Sequence, residues 1–392
     1  FGFKSFGRAT VVGRSRAYLA FFLRSQPESA TSVLMPRTFH CMELWRATPE
    51  VLAMPLEERL KYAKEHMTVS SEKPFELGQF DKKAPISTAE SLSVMAFFAM
   101  VMGGPILVLG VSAYALIAGT WRGFAGVLGA TALLAFHPLP EPSKLCTSSF
   151  TLALYKYFSY RWMWVDDVSE QIDAISGWIG AGGPHGVLPL ANILSMPAIN
   201  VFTRRRFIGA GASVVMHTPF LRYFTCFGGA CDVSARSLVR ETKKGISIGI
   251  VPDGIAGIFK QTGGDEELMA LKNRKGLSRL SLKTGIPLVP AYSLGNTSVY
   301  SSWFDPFGVM EKLSRLLRVS IFVFWGRYGT PLPRRTNITM LLGEPVVPAK
   351  VEESPQPEKI DEVHELLLKG IKDIFDIHKG ACGWGHRSMH FV

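Results

Sequence analysis

His185 stands in the run Gly182-Gly183-Pro184-His185-Gly186, and imidazole is the side chain best suited to take a proton near neutral pH. Pro184 fixes its own φ, and Gly186 lets a second backbone or a ligand approach closely. The histidine is therefore presented on a rigid turn. Local sequence leaves two readings open, a general base or a structural histidine closing a Gly-rich turn. A carboxylate has a comparable setting: Asp253 lies in Pro252-Asp253-Gly254-Ile255-Ala256-Gly257, behind the β-like run Ile246 to Val251. It can orient the imidazole, or it can be a solvated turn residue. The third group is basic. Lys272, Arg274, Lys275 and Arg279 open a helical pattern, either as a solvated face or as a phosphate site built from side chains and helix N-terminal amides.

Other chemistries find little support. There is no GxSxG elbow, no P-loop and no dinucleotide fingerprint, since Gly180, Gly182 and Gly183 lack its spacing. Cys382, His386 and His390 lack a fourth ligand, so no metal and no resident cofactor are expected. Five cysteines, an odd number scattered over 392 residues, read as reduced thiols. The formal net charge of +11 suits anionic partners. Aromatic and basic residues are not interleaved as on a nucleic-acid face, so lipid surfaces or a phosphorylated nucleotide are expected and nucleic acid is not.

The elements that must position these residues alternate short apolar runs with helical patterns, the signature of an α/β fold. Ile175 to Ile179 reads as a buried strand broken by the glycines that follow, with a helix-compatible stretch to Asn200 beyond the His185 turn. Val214 to Thr218 reads as a short strand ending at Pro219, with Arg222 just beyond it. Ser234 to Lys244 is a helix stopped by Gly245, and the basic helix ends at Gly285. Strands follow at Ile286 to Ser293 and at Asn337 to Leu342. Ile360, Val363, Leu367, Ile371, Ile374 and Phe375 fall at helical spacing in a last helix.

Before this part lies a different solvent. Between Leu92 and Phe136 the sole charged residue is Arg122. As helix the run would be about 68 Å long, roughly twice a ~30 Å hydrocarbon core. Two arms therefore fit it, folded at Gly119-Thr120-Trp121-Arg122-Gly123, with the second arm short enough to be re-entrant. Lys73, Lys82 and Lys83 on one side and Lys144 and Lys156 on the other place both ends in the cytosol. Further upstream, Lys4, Arg8, Arg14, Arg16 and Arg24 precede the first acidic residue, Glu28. That composition resembles an organelle transit peptide or a basic tail on anionic lipid. The chain opens on Phe1 rather than Met, as expected of a fragment or a processed form.

Taken in order, the motifs resemble the type-2 diacylglycerol acyltransferase family, which includes monoacylglycerol and wax-alcohol acyltransferases. Pro184-His185-Gly186 is similar to the second half of its His-Pro-His-Gly motif. Arg274-Lys275-Gly276-Leu277-x-Arg279-Leu280, then Leu288-Val289-Pro290-Ala291-Tyr292 and Gly295-Asn296-Thr297, resemble its Arg-Lys-Gly-Phe and Val-Pro-Val-Tyr segment. Gly326-Arg327, Pro331, Pro333, Arg334 and Gly343-Glu344-Pro345 resemble its C-terminal region, and Ile360 to His364 with Ile374-Phe375 its closing helix. Two of these motifs depart. Gly183 replaces the first histidine, and Asp253-Gly254 replaces the usual Gly-Gly, with Gly257 where a glutamate would fall.

The resemblance implies a glycerolipid-acyltransferase-like α/β sheet with flanking helices, preceded by a transmembrane helical hairpin. The expected organisation is a basic tail and amphipathic region over 1–90, the hairpin over 91–139, the acyltransferase domain over 145–380 and a tail over 381–392. The implied reaction is acyl transfer from acyl-CoA, a co-substrate, to diacylglycerol. His185 would be the base, with Gly186, Arg222, Arg274, Lys275 and Asn296 as substrate-binding residues; Asp253, read from its own turn, would be the partner of His185 in place of the family's glutamate. Monoacylglycerol or a long-chain alcohol is the alternative acceptor, and a degenerate lipid-binding protein the alternative outside catalysis. Lysophospholipid enzymes use His-x4-Asp, and Leu190 holds that Asp position. The expected place is the endoplasmic reticulum membrane with the catalytic part cytosolic, or a plastid membrane.

Overall fold

The computed structural model describes residues 37–139, 141–260, 264–303, 305–317 and 321–392. The basic stretch from Phe1 to Gln26, with its transit-peptide reading, lies outside them. The strands are, in chain order, Phe39–Glu43 (β1), Thr68–Ser71 (β2), Arg161–Val165 (β3), Ile179–Gly183 (β4), Phe207–Gly211 (β5), Ala230–Asp232 (β6) and Ser247–Ile250 (β7). They continue with Glu266–Met269 (β8), Leu288–Leu294 (β9), Ser301–Ser302 (β10), Phe324–Trp325 (β11), Thr339–Leu342 (β12) and Ser388–Phe391 (β13). Nine of the described strands form one mixed sheet in the order β2-β1-β3-β12-β9-β4-β7-β5-β6.

Five of these, β9-β4-β7-β5-β6, run parallel to one another. Parallel neighbours deliver the loops at their carboxyl ends to a single edge. The loops after β4, β7 and β9 carry His185, Asp253 and Asn296, so three separated sequence segments meet there. On β9 the residues alternate: Val289 and Ala291 enter one apolar layer, Leu288, Tyr292 and Leu294 the other, as a period of two demands. The first layer packs against Leu190–Phe202 (α3) and the second against Pro357–His378 (α6). The six apolar positions expected on that last helix are all buried.

The apolar run forms two helices, Thr88–Ile117 (α1) and Trp121–Phe136 (α2), joined by the short turn expected there. A capping box starts α1, Ser87 Oγ accepting from Glu90 N–H and the Glu90 carboxylate from Ser87 N–H. Val94, Phe98, Val101, Met102 and Gly104 are buried against the globular part. Beyond them Ile106, Leu107, Leu109, Leu116 and Ile117, and Trp121, Leu133 and Phe136 on α2, are exposed. By length and composition α1 is the one helix among the described residues long and apolar enough to cross a membrane.

Several expectations need correction. The strand before His185 is Ile179–Gly183, so its glycines belong to it. Trp178 lies over Gly180, the Asn192 amide against Gly182 and Met269 against Gly183, and larger side chains would meet them. Val214 to His217 belong to a short helix, Ser213–His217 (α4), with Thr218 as its C-cap; none of the helix residues is buried, so no sheet neighbour claims it. Residues from 38 to 90 are no detached tail, because β1 and β2 extend the sheet beside β3. Nor is 381–392 a tail: β13 pairs in parallel with β8. Residues Thr38–Val392 form one unit.

Candidate active site

Four successive carbonyls around His185 are each held by a side chain. Asn192 Nδ2 donates to Gly182 O at 3.0 Å, and Ser293 Oγ to Gly183 O at 3.1 Å. Asn296 Nδ2 donates to both Pro184 O and His185 O, at 3.2 and 3.1 Å. The Asn296 Oδ1 atom accepts from Ala191 N–H at 3.2 Å, tying the turn to the start of α3. Gly186 has a φ of 61°, a conformation that favours glycine. The backbone of the turn is therefore fixed before any substrate arrives.

The imidazole is half-buried. Its Nδ1 lies 2.8 Å from Gly186 O. A carbonyl can only accept, so Nδ1 carries the hydrogen, and in the neutral ring Nε2 presents its lone pair. That is the tautomer a base requires.

Asp253 is 0% exposed, so the solvated-turn reading fails. Its Oδ2 accepts the backbone N–H of His185 at 3.0 Å, across 68 residues of sequence. The carboxylate thus grips the histidine's main chain, and no hydrogen bond joins it to the ring among the described residues. Its other oxygen, Oδ1, is buried without a partner among those residues. Burial pushes this carboxyl above its ordinary value, opposed by the nearby charges of His185 and Arg274 and by the His185 N–H bond.

Arg274 is exposed, and its Nη1 lies 3.3 Å from where a Cβ on Gly254 would stand. It is thereby brought beside Asp253. Behind it, His364 Nε2 meets Lys272 O at 3.1 Å while Ser278 Oγ meets Nδ1 at 3.3 Å, which anchors the basic loop to α6. This loop leads into Gly276–Thr284 (α5), closed by Gly285 with φ 74°.

Three of the residues expected to bind substrate make contacts within the protein. Asn296 is 2% exposed, and its amide bonds backbone on both sides, which holds the turn. Lys275 Nζ is paired with Asp361 Oδ1 at 2.5 Å. Arg222 Nη1 donates to Leu134 O, fastening α2 to the globular part at 3.2 Å. Asn192, Ser293 and Met269 were not singled out by sequence. Asn192 follows His185 by seven residues and Ser293 follows the Tyr292 of a motif, the only hints available.

The diacylglycerol acyltransferase family matches residues 124–389. The chain belongs to that family. It is accordingly an acyltransferase. Among similar proteins is diacylglycerol O-acyltransferase 2-like protein 6 of Bos taurus, 30% identical over 255 residues, 58% of this chain and 72% of the relative. Acyl-CoA wax alcohol acyltransferase 2 of Homo sapiens is 32% identical over 178 residues, 42% of this chain and 53% of that protein. A 1-acyl-sn-glycerophosphate acyltransferase structure from Thermotoga maritima aligns with TM-score 0.36 and 13% identity, covering 73% of this chain and 96% of that one. At that level the likeness carries no argument.

Membership of the family gives the two departures a structural meaning. At Gly183, a Cβ would come within 2.5 Å of the Met269 methyl, so the thioether fills the space a side chain there would enter. At Gly257, a Cβ would overlap the Asp253 carboxylate. The acidic group of this loop thus sits four residues earlier in the chain than the family's glutamate, and it occupies the room that a residue at 257 would need.

Proposed function

We propose that this chain is a membrane-bound acyl-CoA:diacylglycerol acyltransferase with His185 as general base. The observation that carries the reading is the Nδ1–Gly186 O bond, which leaves Nε2 as acceptor at the sheet edge where Asp253 and Arg274 converge. The acceptor's hydroxyl gives its proton to Nε2 as its oxygen bonds to the thioester carbon. The C–S bond then breaks, and the imidazolium returns the proton to the leaving thiolate, so atoms and charge balance. General-base help of this kind is worth ~10²–10⁴-fold. Backbone N–H groups around Gly186 are the oxyanion donors in this reading, and Arg274 meets phosphates of the acyl donor.

The hairpin supports a site fed from the lipid side. The exposed part of α1, Pro105–Ile117, is about 20 Å of helix, and α2 about 24 Å. Both fall short of a ~30 Å core, which favours a re-entrant hairpin with its two ends on the same face, read as the cytosolic face of the endoplasmic reticulum. Plastid membranes are the alternative site. A long-chain alcohol is the second acceptor, favoured by the likeness to wax alcohol acyltransferase 2. Expression in a host lacking triacylglycerol synthesis, followed by lipid analysis, tests both. Triacylglycerol is expected with the wild type, and a ~10²-fold or greater loss with His185→Ala at equal membrane abundance. Undiminished product in His185→Ala would overturn the role of His185; wax ester instead of triacylglycerol would move the acceptor.

A further inference from the structure

The His185 turn rests on β8, and β8 is held from the far end of the chain. Arg387 Nη1 lies 2.5 Å from Glu267 Oε1, with side-chain exposures of 23% and 6%. The Arg387 guanidinium also stacks over Trp384, 4.1 Å from the ring centroid. Register pairs Ser388 with Glu266 and Phe391 with Met269. Val392 N–H donates to Met269 O at 3.0 Å, and Lys272 N–H to Val392 O at 3.3 Å.

From β8 two contacts reach the catalytic turn. Met269 is 0% exposed and packs on Gly183, two residues before His185. Glu267 Oε2 accepts from Tyr292 OH at 3.2 Å and, longer, from Thr297 Oγ1 at 3.5 Å. Tyr292 pairs with Gly183 in the β4–β9 register. Thr297 adjoins Asn296, whose amide grips the Pro184 and His185 carbonyls. A buried carboxylate without its cation is strongly destabilising where it sits, so loss of Arg387 would be felt at these partners first.

We propose that the C-terminal strand is a working part of the site, with Arg387 as a positioning residue that holds Glu267 and Met269 beneath the His185 turn. This rests on the acyl-transfer reading for its kinetic arm and on the fold alone for its structural arm. The kinetic arm measures initial rates of the full chain in microsomes against acyl-CoA and diacylglycerol. Arg387→Ala should lower kcat about ten-fold with KM within about two-fold, Arg387→Lys should restore most of it, and Met269→Ala should lower kcat about three-fold. Wild-type kcat in Arg387→Ala overturns the proposal, as does a loss that Arg387→Lys shares in full. Should Arg387→Ala fail to accumulate, Met269→Ala decides, and wild-type kcat there overturns it. The structural arm is hydrogen exchange on the purified full chain. Exchange in 179–186 should quicken about ten-fold in Arg387→Ala while α6 keeps its protection. If the wild type transfers no acyl group yet this exchange response appears, the functional reading fails and the coupling stands. Unchanged exchange in 179–186 overturns the coupling itself.

Discussion

Gly183 and Gly257 are two places where the chain departs from its family, and the fold answers them differently. Beside Gly183 the space is taken by the methyl end of Met269, an apolar and flexible group buried under the turn. Beside Gly257 it is taken by the Asp253 carboxylate, a polar group that also accepts the His185 N–H. The first replacement conserves volume, the second supplies charge. A thioether can rotate away from an intruding atom at modest cost. A carboxylate bonded to the catalytic backbone cannot move without releasing that bond. The two glycines should therefore tolerate substitution unequally.

Gly257→Ala is the sharpest way to break the contrast. Its Cβ would displace the Asp253 carboxylate and leave His185 N–H without its acceptor, and kcat should fall about 10²-fold, or about 2.7 kcal/mol. Initial rates at matched membrane abundance check it; a change under about three-fold would mean that the carboxylate has room to move.

Asp253→Asn is milder, because the amide oxygen can still accept the His185 N–H. We expect at least a ten-fold loss of rate, about 1.4 kcal/mol, and a gain in stability at neutral pH. The sign follows from burial, which raises this carboxyl's folded pKa above its unfolded value. Such a group's contribution is fully present below the unfolded pKa and is lost as pH rises through the folded one. Wild type should therefore lose stability relative to the Asn variant across that interval, by thermal melts between about pH 4 and pH 8. A melting gap that does not change with pH would show that the charge is compensated in place.

Gly183→Ala should have the smallest effect. Overpacking against Met269 costs about 1–3 kcal/mol of stability, with kcat lowered less than about three-fold. Combining it with Met269→Ala should recover much of that stability by opening the space, a coupling readable in a double-mutant cycle. Strict additivity would show that Met269 is not what limits position 183.

Much of this was legible from sequence. The Pro184-His185-Gly186 turn, the helix ends at Gly245 and Gly285, and the apolar face of the last helix follow from local rules of φ, capping and period. The long apolar run between Leu92 and Phe136, with Arg122 its sole charge, announced two helices by length alone. What periodicity misread was the strand at Ile179–Gly183, whose glycines look like a break until Trp178, Asn192 and Met269 are seen filling the space around them.

The sequence by itself determined which residues are chemically able to act and which turns present them, since those depend on neighbours within a few positions. Only the tertiary structure decided how they are used. Asp253 meets the His185 main chain across 68 residues and Asn296 meets it across 111; Arg387 reaches Glu267 across 120. Such pairings are set by sheet order and register, in which β9, β4 and β7 lie side by side. Nothing in the local pattern of any one segment encodes its neighbour in the sheet, because that neighbour is chosen by the packing of the whole.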